Sequence, residues 1–266
     1  MIRKTTQSWK LSKKEPRPGK PPHFRIVTYN IHKGRGLDRR MRVSWVAEIL
    51  RDLEPDIVAL QEVLSIEGQD PEEHQARYIA EALGFDYRIG ETRRLRGGVY
   101  GNVTLSRFPM ILERHYDLSH RAGREERGCL RTDLQLPAGQ VLQVYNIHLG
   151  TAYRERRFQA RRLFGAGILD KEKRSGTSII LGDFNEWLPG LASRLLKTHY
   201  FRVPVRTRLA RSRTYPGMLP LLSLDHIYYD EHLELEQSAI LRSRKTLLAS
   251  DHLPILADFR ISFPNH

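Results

Sequence analysis

Cysteine is all but missing from this 266-residue sequence: Cys129 is the only one, so no intrachain disulfide can form and a disulfide-stapled secreted scaffold is excluded. Long apolar runs are missing too. No stretch approaches the roughly 20 apolar residues of a membrane-spanning helix. The N-terminal segment MIRKTTQSWKLSKKEPRPGKPP is basic and lacks the apolar centre of a secretory signal. Acids are scarce relative to bases: 31 Asp and Glu against 44 Lys and Arg leave a formal charge of +13. Such an excess favours polyanionic partners, whether nucleic acid, an anionic membrane surface or multiply phosphorylated small molecules, although solvated surface arginines account for it equally well. Aromatic residues rarely interleave with the arginines, so no stacking platform for single strands is evident. These deficits lead to the expectation of a cytoplasmic monomer without a transmembrane segment, with a peripheral position at a membrane surface left open.

What is present is ordinary in bulk and specific in detail. Hydrophobic residues make up 40% and charged residues 28% of the chain, which suits a globular protein with a sizeable core. Residues 1–22, rich in Lys, Pro and Ser, read as a basic flexible tail, and residues 23–262 as a single domain, because no linker-like stretch divides them. Asp38 is a plausible N-cap for a helix with Val43, Val46, Ala47, Leu50 and Leu53 on one face. Asp70-Pro71-Glu72-Glu73 predicts a second helix running to Leu83 and ending at Gly84. A third is expected over Arg154–Lys171.

Six short apolar runs each carry an acid, an amide or an imidazole at one end. Two finish almost identically: Tyr29-Asn30-Ile31-His32-Lys33-Gly34 and Tyr145-Asn146-Ile147-His148-Leu149-Gly150 differ at one position. The others contain Gln61-Glu62, Gly182-Asp183-Phe184-Asn185, Leu224-Asp225-His226 and Ser250-Asp251-His252. Apolar β-rich runs are built to be buried. Asn30, Glu62, His148 and Asp183 lie at the ends of their runs, whereas Asp225 and Asp251 lie at or near the starts. Antiparallel neighbours set one strand's start beside another's end, so the polar groups converge on one edge if the sheets are mixed or antiparallel. Carboxylates, amides and histidines gathered there suit a hard divalent cation and a phosphate. Each motif alone has a plainer reading as a turn, a helix cap or a satisfied buried histidine; joint occurrence is what points to chemistry.

Taken in order, TYNIH, ALQEV, GNVTLSRFP, VYNIHLG, LGDFN, LDHIY and SDHLP resemble the endonuclease/exonuclease/phosphatase (DNase I-like) superfamily, in its bacterial metal-dependent hydrolase subgroup, from Phe24 to about Phe259. The resemblance implies an α/β fold, a four-layered sandwich of two packed mixed or antiparallel sheets flanked by helices, with the site at one end of the sheets. It implies Glu62 as principal Mg²⁺ ligand (Mn²⁺ being an alternative), supported by Asn30 and Asp251. It implies Asp183 as general base toward water, Asn185 as a donor to a phosphate oxygen, and His252, oriented by Asp225, as a second contact to the phosphate. His148 corresponds to a second active-site histidine, and Arg127 and Asn102 to the phosphate-holding wall.

Several basic groups stand outside this set. Arg93, Arg94 and Arg96 beside Gly97-Gly98 read as a mobile basic loop. Arg154, Arg157 and Arg161 share a helix face. Arg202, Arg206, Arg208, Arg211 and Arg213 read as a polyanion-contacting loop, and His32 as strand-end surface. The implied activity is a divalent-metal-dependent phosphoesterase, a phosphodiesterase in first place, with nucleic acid slightly ahead of a phospholipid head group or an inositol phosphate as the polyanionic substrate. A different class, a catalytically dead basic binding module on the same fold, stays open, although it would have no need of a general base.

Overall fold

A computed structural model describes residues 23–36, 38–120, 125–169, 176–204, 214–216 and 222–262; the expected tail over 1–22 lies outside them. Among the described residues, twelve strands make two six-stranded sheets. The first contains β1 (His23–Asn30), β2 (Ile57–Ser65), β3 (Asp86–Leu95), β4 (Gly98–Ser106), β11 (Leu233–Ile240) and β12 (Ile255–Ile261), in the order β11-β12-β1-β2-β4-β3. The second contains β5 (Met110–Asp117), β6 (Gly128–Gln135), β7 (Val141–His148), β8 (Thr177–Asp183), β9 (Phe201–Arg202) and β10 (Asp225–Tyr229), in the order β5-β6-β7-β8-β10-β9. Each sheet has a parallel pair at its centre, β1 with β2 and β7 with β8, and antiparallel neighbours outside it. Both parallel pairs are joined through a helix, α1 (Val43–Leu53) in the first and α3 (Tyr153–Gly165) in the second. The two Tyr-Asn-Ile-His segments are therefore the first strands of two β–helix–β units.

Central strands in such a setting are covered on both faces, which explains why β7 and β8 read as near-continuous apolar runs. Between the sheets lie Ile26, Ile57 and Ala59 against Leu142, Val144, Ile179 and Leu181. The outer face of the first sheet puts Val27, Tyr29, Val58 and Leu60 under α1 and α2 (Gln75–Leu83), with Ala249 of α5 (Arg244–Ala249). The second puts Tyr145, Ile147 and Ile180 under α3 and α4 (Leu191–Leu196). Helix, sheet, sheet and helix make four layers, as the resemblance implied.

Toward the ends of the parallel strands, the layer between the sheets changes from apolar to polar. Asn146 donates its amide protons to the Leu60 and Val103 carbonyls, each at 3.0 Å, and accepts from Gln61 Nε2 at 2.8 Å. Asn102 donates to the Gly128 carbonyl at 3.1 Å and the Asn146 carbonyl at 3.0 Å. These buried amides stitch one sheet to the other, and their donors are satisfied, which is the condition for a polar layer to rigidify a core.

Local details depart from the sequence expectations. Asp38 pairs with the Arg42 guanidinium, and α1 starts only at Val43. Asp70 caps a single 3₁₀ turn over Pro71–Glu73 through Glu72 N–H at 2.9 Å. His74 then bridges to Ser65 and recaps the chain, its Nδ1 accepting from Arg77 N–H, so the expected helix is split before α2 ends at Gly84. α3 stops at Gly165, well short of Lys171, because Gly167 takes φ +69°. Arg93 and Arg94 belong to β3, and Arg96-Gly97, both at positive φ, form the two-residue turn of a hairpin, a connection suited to the strand twist. The expected mobile loop is thus a β-hairpin.

Candidate active site

The two copies of the repeated motif end two residues apart. β1 stops at Asn30, whereas β7 runs on to His148. Side chains alternate with period two, so a slip of two keeps the same face and moves one step along it. Asn30 and His148 therefore occupy the edge, while Asn146 lies one step back in the polar layer. His32, beyond the end of β1, sits in a turn at φ +45° with Nδ1 3.4 Å from Asp251. It reaches the site's edge through that carboxylate rather than lying idle on the surface.

β10 runs antiparallel to β8 with Asp225 directly opposite Asp183, and His148 is opposite Asp183 on the other side. Three of the expected groups are thus brought together by register alone. Gly182 is required where β8 meets β7: at φ +134°, an added Cβ would lie 2.0 Å from the Ile147 carbonyl oxygen. Asp183 is buried and held at both oxygens, Oδ1 accepting from Asn185 N–H at 2.9 Å and Oδ2 from Asn30 Nδ2 at 3.0 Å. His252 Nδ1 lies 2.9 Å from Asp225 Oδ2, and its Nε2 lies 3.7 Å from Asp183 Oδ2. Thr214 donates its hydroxyl to Asp225, and Tyr215 packs on the His252 ring with centroids 4.9 Å apart.

Burial makes ionisation of Asp183 costly, and the nearby Asp225 charge adds to this, so its carboxyl is pushed up to about 7 despite opposition from His252 and Asn30. Burial works against a charged His252, yet Asp225 and Asp183 outweigh it and raise the imidazolium to about 10. At neutral pH the chain from Asp225 to His252 to Asp183 therefore holds a cation beside a carboxyl poised to exchange a proton.

Glu62 reaches the site through a fault in the sheet. Leu60 pairs with Val103 but Val63 with Gly101, so Gln61 and Glu62 together face the single residue Asn102. This bulge puts Glu62 at φ +57°, costing about 1–2 kcal/mol, and turns it away from the helix-covered face that strict alternation would give it. Its Oε1 accepts from Asn30 Nδ2 at 3.2 Å and its Oε2 from Lys33 Nζ at 2.9 Å. Burial opposes its ionisation, but Lys33, through both its charge and its hydrogen bond, holds the carboxyl below the usual range. Burial and Arg127 drive His148 well below its ordinary value. Uncharged at pH 7, His148 leaves Lys33 as the fixed cation opposite Glu62.

The Arg127 guanidinium differs from the expected phosphate fork. It is 5% exposed, donates from Nη1 to His148 Nδ1 at 3.2 Å and from Nη2 to Glu125 at 2.7 Å. That contact leaves His148 with its proton on Nε2, which points toward Asp183 Oδ2 at 3.6 Å. Arg127 thus lies behind His148 and sets its tautomer. Asn102 also departs from expectation, since both its amide protons are spent on backbone carbonyls between the sheets. Asn30 is turned so that its amide nitrogen faces Glu62 and Asp183, with Oδ1 accepting from His32 N–H at 3.0 Å. It orients both carboxylates and offers them no oxygen ligand.

A model of the Endonuclease/Exonuclease/phosphatase family matches residues 27–252. The protein YbhP of Escherichia coli K12 is 30% identical over 250 residues, spanning 90% of this chain and 96% of YbhP. The chain belongs to the endonuclease/exonuclease/phosphatase family. Membership implies hydrolysis of phosphoester bonds. Solved structures share the fold: a conserved protein from Enterococcus faecalis V583 at TM-score 0.74 and 19% identity, covering 90% of this chain and 100% of that one, and a mannosyl-6-phosphatase of Bacteroides thetaiotaomicron VPI-5482 at TM-score 0.71 and 18% identity, covering 89% and 99%. At such identities these likenesses show architecture alone.

Two groupings within this member of the family could hold a divalent cation. Asp183, Asp225 and His252 place ligand atoms within 4.8 Å of one another. There, however, Asp225 and His252 are tied to each other, and a cation would have to break that bond. Glu62 and Asp251 fit better. They are hard oxygen donors with side chains 18% and 22% exposed, and each is close enough to raise the cost of the other's charge. A cation between them would relieve that repulsion, as His32 and Lys33 partly do.

Sequence reasoning missed Lys33, Tyr100 and Glu125. Lys33 Nζ lies 5.4 Å from the Tyr100 ring centroid, the Arg93 guanidinium lies 4.8 Å from the same ring, and Tyr100 Oη donates to Glu125 at 3.3 Å. One signal for Lys33 was in plain view: it is the single difference between the two sextets, and its counterpart Leu149 is fully buried in the core. Of the five arginines expected to contact polyanions, Arg206, Arg208, Arg211 and Arg213 lie outside the described residues. Arg202 is engaged with His226 Nδ1 at 2.8 Å.

Proposed function

We propose that this chain is a divalent-metal-dependent phosphodiesterase that hydrolyses P–O bonds by in-line attack of water. The observation that carries this reading is the buried chain Asp225–His252–Asp183, in which an imidazolium and a carboxyl raised to about 7 lie within 3.7 Å. Neither a structural core nor a binding surface needs a buried proton-exchanging group of this kind. In this reading Glu62 and Asp251 hold the cation, Mg²⁺ or Mn²⁺, with Asn30 orienting Glu62. When bound, the cation supplies Lewis-acid polarisation of a phosphoryl oxygen.

The remaining roles belong to the chain. Asp183 takes a proton from the attacking water, its two oxygens already fixed by Asn185 N–H and Asn30. His252, kept charged by Asp225, donates from Nε2 to the oxygen on which negative charge builds. Asn185 commits one amide proton to the Leu149 carbonyl at 2.9 Å; the other lies on the side of His148 Nε2, with Nδ2 3.4 Å from it, and in this reading turns to a phosphate oxygen. His148 donates from Nε2 in the tautomer imposed by Arg127. Hydrolysis of bis-p-nitrophenyl phosphate in Mg²⁺ or Mn²⁺ tests the reading. Activity should vanish with EDTA and fall at least about 1,000-fold in Asp183→Asn. Turnover untouched by chelation would refute the metal role, and inactivity across a panel of mono- and diesters would favour a binding module.

A further inference from the structure

Seven large apolar side chains are exposed among the described residues, and three of them, Tyr153, Trp187 and Leu188, lie on two neighbouring segments. β7 and β8 are parallel with His148 opposite Asp183, so the chains leaving them emerge side by side at the edge that carries the site. One reaches Tyr153 at the start of α3; the other passes Asn185 and reaches Trp187 and Leu188 before α4. Their exposures are 54%, 63% and 80%. A scattered exposed apolar residue needs no explanation. An adjacent Trp-Leu pair beside a third aromatic, on the rim of a polar site, does.

The surroundings are cationic. α3 carries Arg154, Arg156, Arg157, Arg161 and Arg162, and its one acid, Glu155, is buried. Arg157 donates to Tyr153 Oη at 3.1 Å with its guanidinium 5.7 Å from the ring centroid, and Arg194 of α4 is close enough to act on the same phenol. Glu186, the acid next to Trp187, is buried as well. The face therefore presents apolar tips beside arginines; Arg156 has Glu186 and Glu155 close by, whereas Arg154, Arg157 and Arg194 form no ion pair among the described residues.

We propose that this rim docks on an anionic lipid bilayer, bringing the site edge to the headgroup layer. The indole of Trp187 suits headgroup depth, Leu188 the acyl boundary, and the arginines the anionic surface. Nucleic acid fits less well, since Leu188, the most exposed of the three apolar tips, has no face on which a base can stack. Docking is independent of the hydrolysis proposed above, and the test separates the two because it reads binding alone.

The experiment is flotation of the full chain with vesicles of phosphatidylglycerol and phosphatidylcholine, against vesicles of phosphatidylcholine only, with tryptophan emission recorded in parallel. Binding to the anionic vesicles is expected, weakened by 0.5 M salt, and lowered at least ten-fold in Trp187→Ser/Leu188→Ser, whose exposed positions leave the core untouched. Trp187→Phe should still float but lose the blue shift, which assigns that shift to this side chain rather than to Trp9 or Trp45. Failure of the native chain to float, or flotation indifferent to the double substitution, overturns the proposal. So does quenching of Trp187 by duplex DNA with no response to vesicles, which would place nucleic acid on this face.

Discussion

Replacing Asp225 by Asn isolates the group that keeps His252 charged. In the native chain His252 is raised from an ordinary value near 6.5 to about 10, worth roughly 5 kcal/mol between its two protonation states. Burial works in the opposite direction, so the carboxylates overcome it and supply the whole net rise. Asp225 is the largest of them and also provides the hydrogen bond at 2.9 Å. Removing its charge should cost roughly 2–3 kcal/mol, lowering His252 by about two pH units to near 8. The direction of the stability effect follows. A raised histidine stabilises the fold fully below about 6.5 and loses that contribution as pH rises through about 10. The Asp225→Asn variant should therefore be less stable by about 2–3 kcal/mol below pH 6.5, with the gap closing by pH 10–11. Urea denaturation across that range reads the gap, and any pH-independent change in packing cancels in its pH dependence. The imidazole titration is read directly by NMR with labelled histidine, and kcat/KM at pH 8 should fall about 100-fold. A His252 titration that stays near 10, or a stability gap constant with pH, would refute the reasoning.

Three further outcomes follow from the geometry. The rate should rise as pH passes about 7, where Asp183 loses its proton, and fall as it passes about 10, where His252 loses its own; a profile flat across pH 6–8 would remove Asp183 as the base. Lys33→Met frees Glu62 Oε2 for a cation, so calorimetric titration of the metal-free protein should show Mn²⁺ binding about ten-fold more tightly, and unchanged or weaker binding would show that Lys33 does not compete there. Asn146→Ala leaves the Leu60 and Val103 carbonyls and Gln61 Nε2 without their partner between the sheets, at a cost of roughly 3–5 kcal/mol in urea denaturation; a loss under 1 kcal/mol would mean that water replaces the amide.

The convergence of Asn30, Glu62, His148, Asp183, Asp225 and Asp251 was legible because each closes or opens an apolar run, a local feature of sequence, even though Glu62 proves to lie inside β2 and Asp251 in the bend before β12. The antiparallel pairing that sets Asp225 opposite Asp183 followed from one group closing its run and the other opening its own. Orientation was not legible. That Arg127 faces His148 and Glu125 depends on β6 meeting β7, and that both Asn102 amide protons are consumed depends on how the two sheets stack. The bulge at Glu62 left no local mark, since glutamate is not a residue that announces positive φ. The hairpin at Arg96-Gly97 was obscured in the same way, with Arg in a position where Asn or Asp is the usual signal.

The repeated Tyr-Asn-Ile-His segment shows how one local pattern serves two ends. In both copies the tyrosine is fully buried and the asparagine points toward the other sheet. Ending β1 at Asn30 leaves that amide on the open edge, between Glu62 and Asp183, where it fixes two carboxylates. Extending β7 by two residues carries the equivalent amide, Asn146, beneath the site and presents His148 in its place. The following residue diverges accordingly. After β1 the chain turns outward and Lys33 covers Glu62; after β7 it turns inward, Leu149 fills the core under α3, and its carbonyl holds Asn185. A shift of two residues thus separates the Glu62 half of the edge from the Asp183 half. Asn30, bonded to Glu62 and to Asp183, is the side chain that touches both.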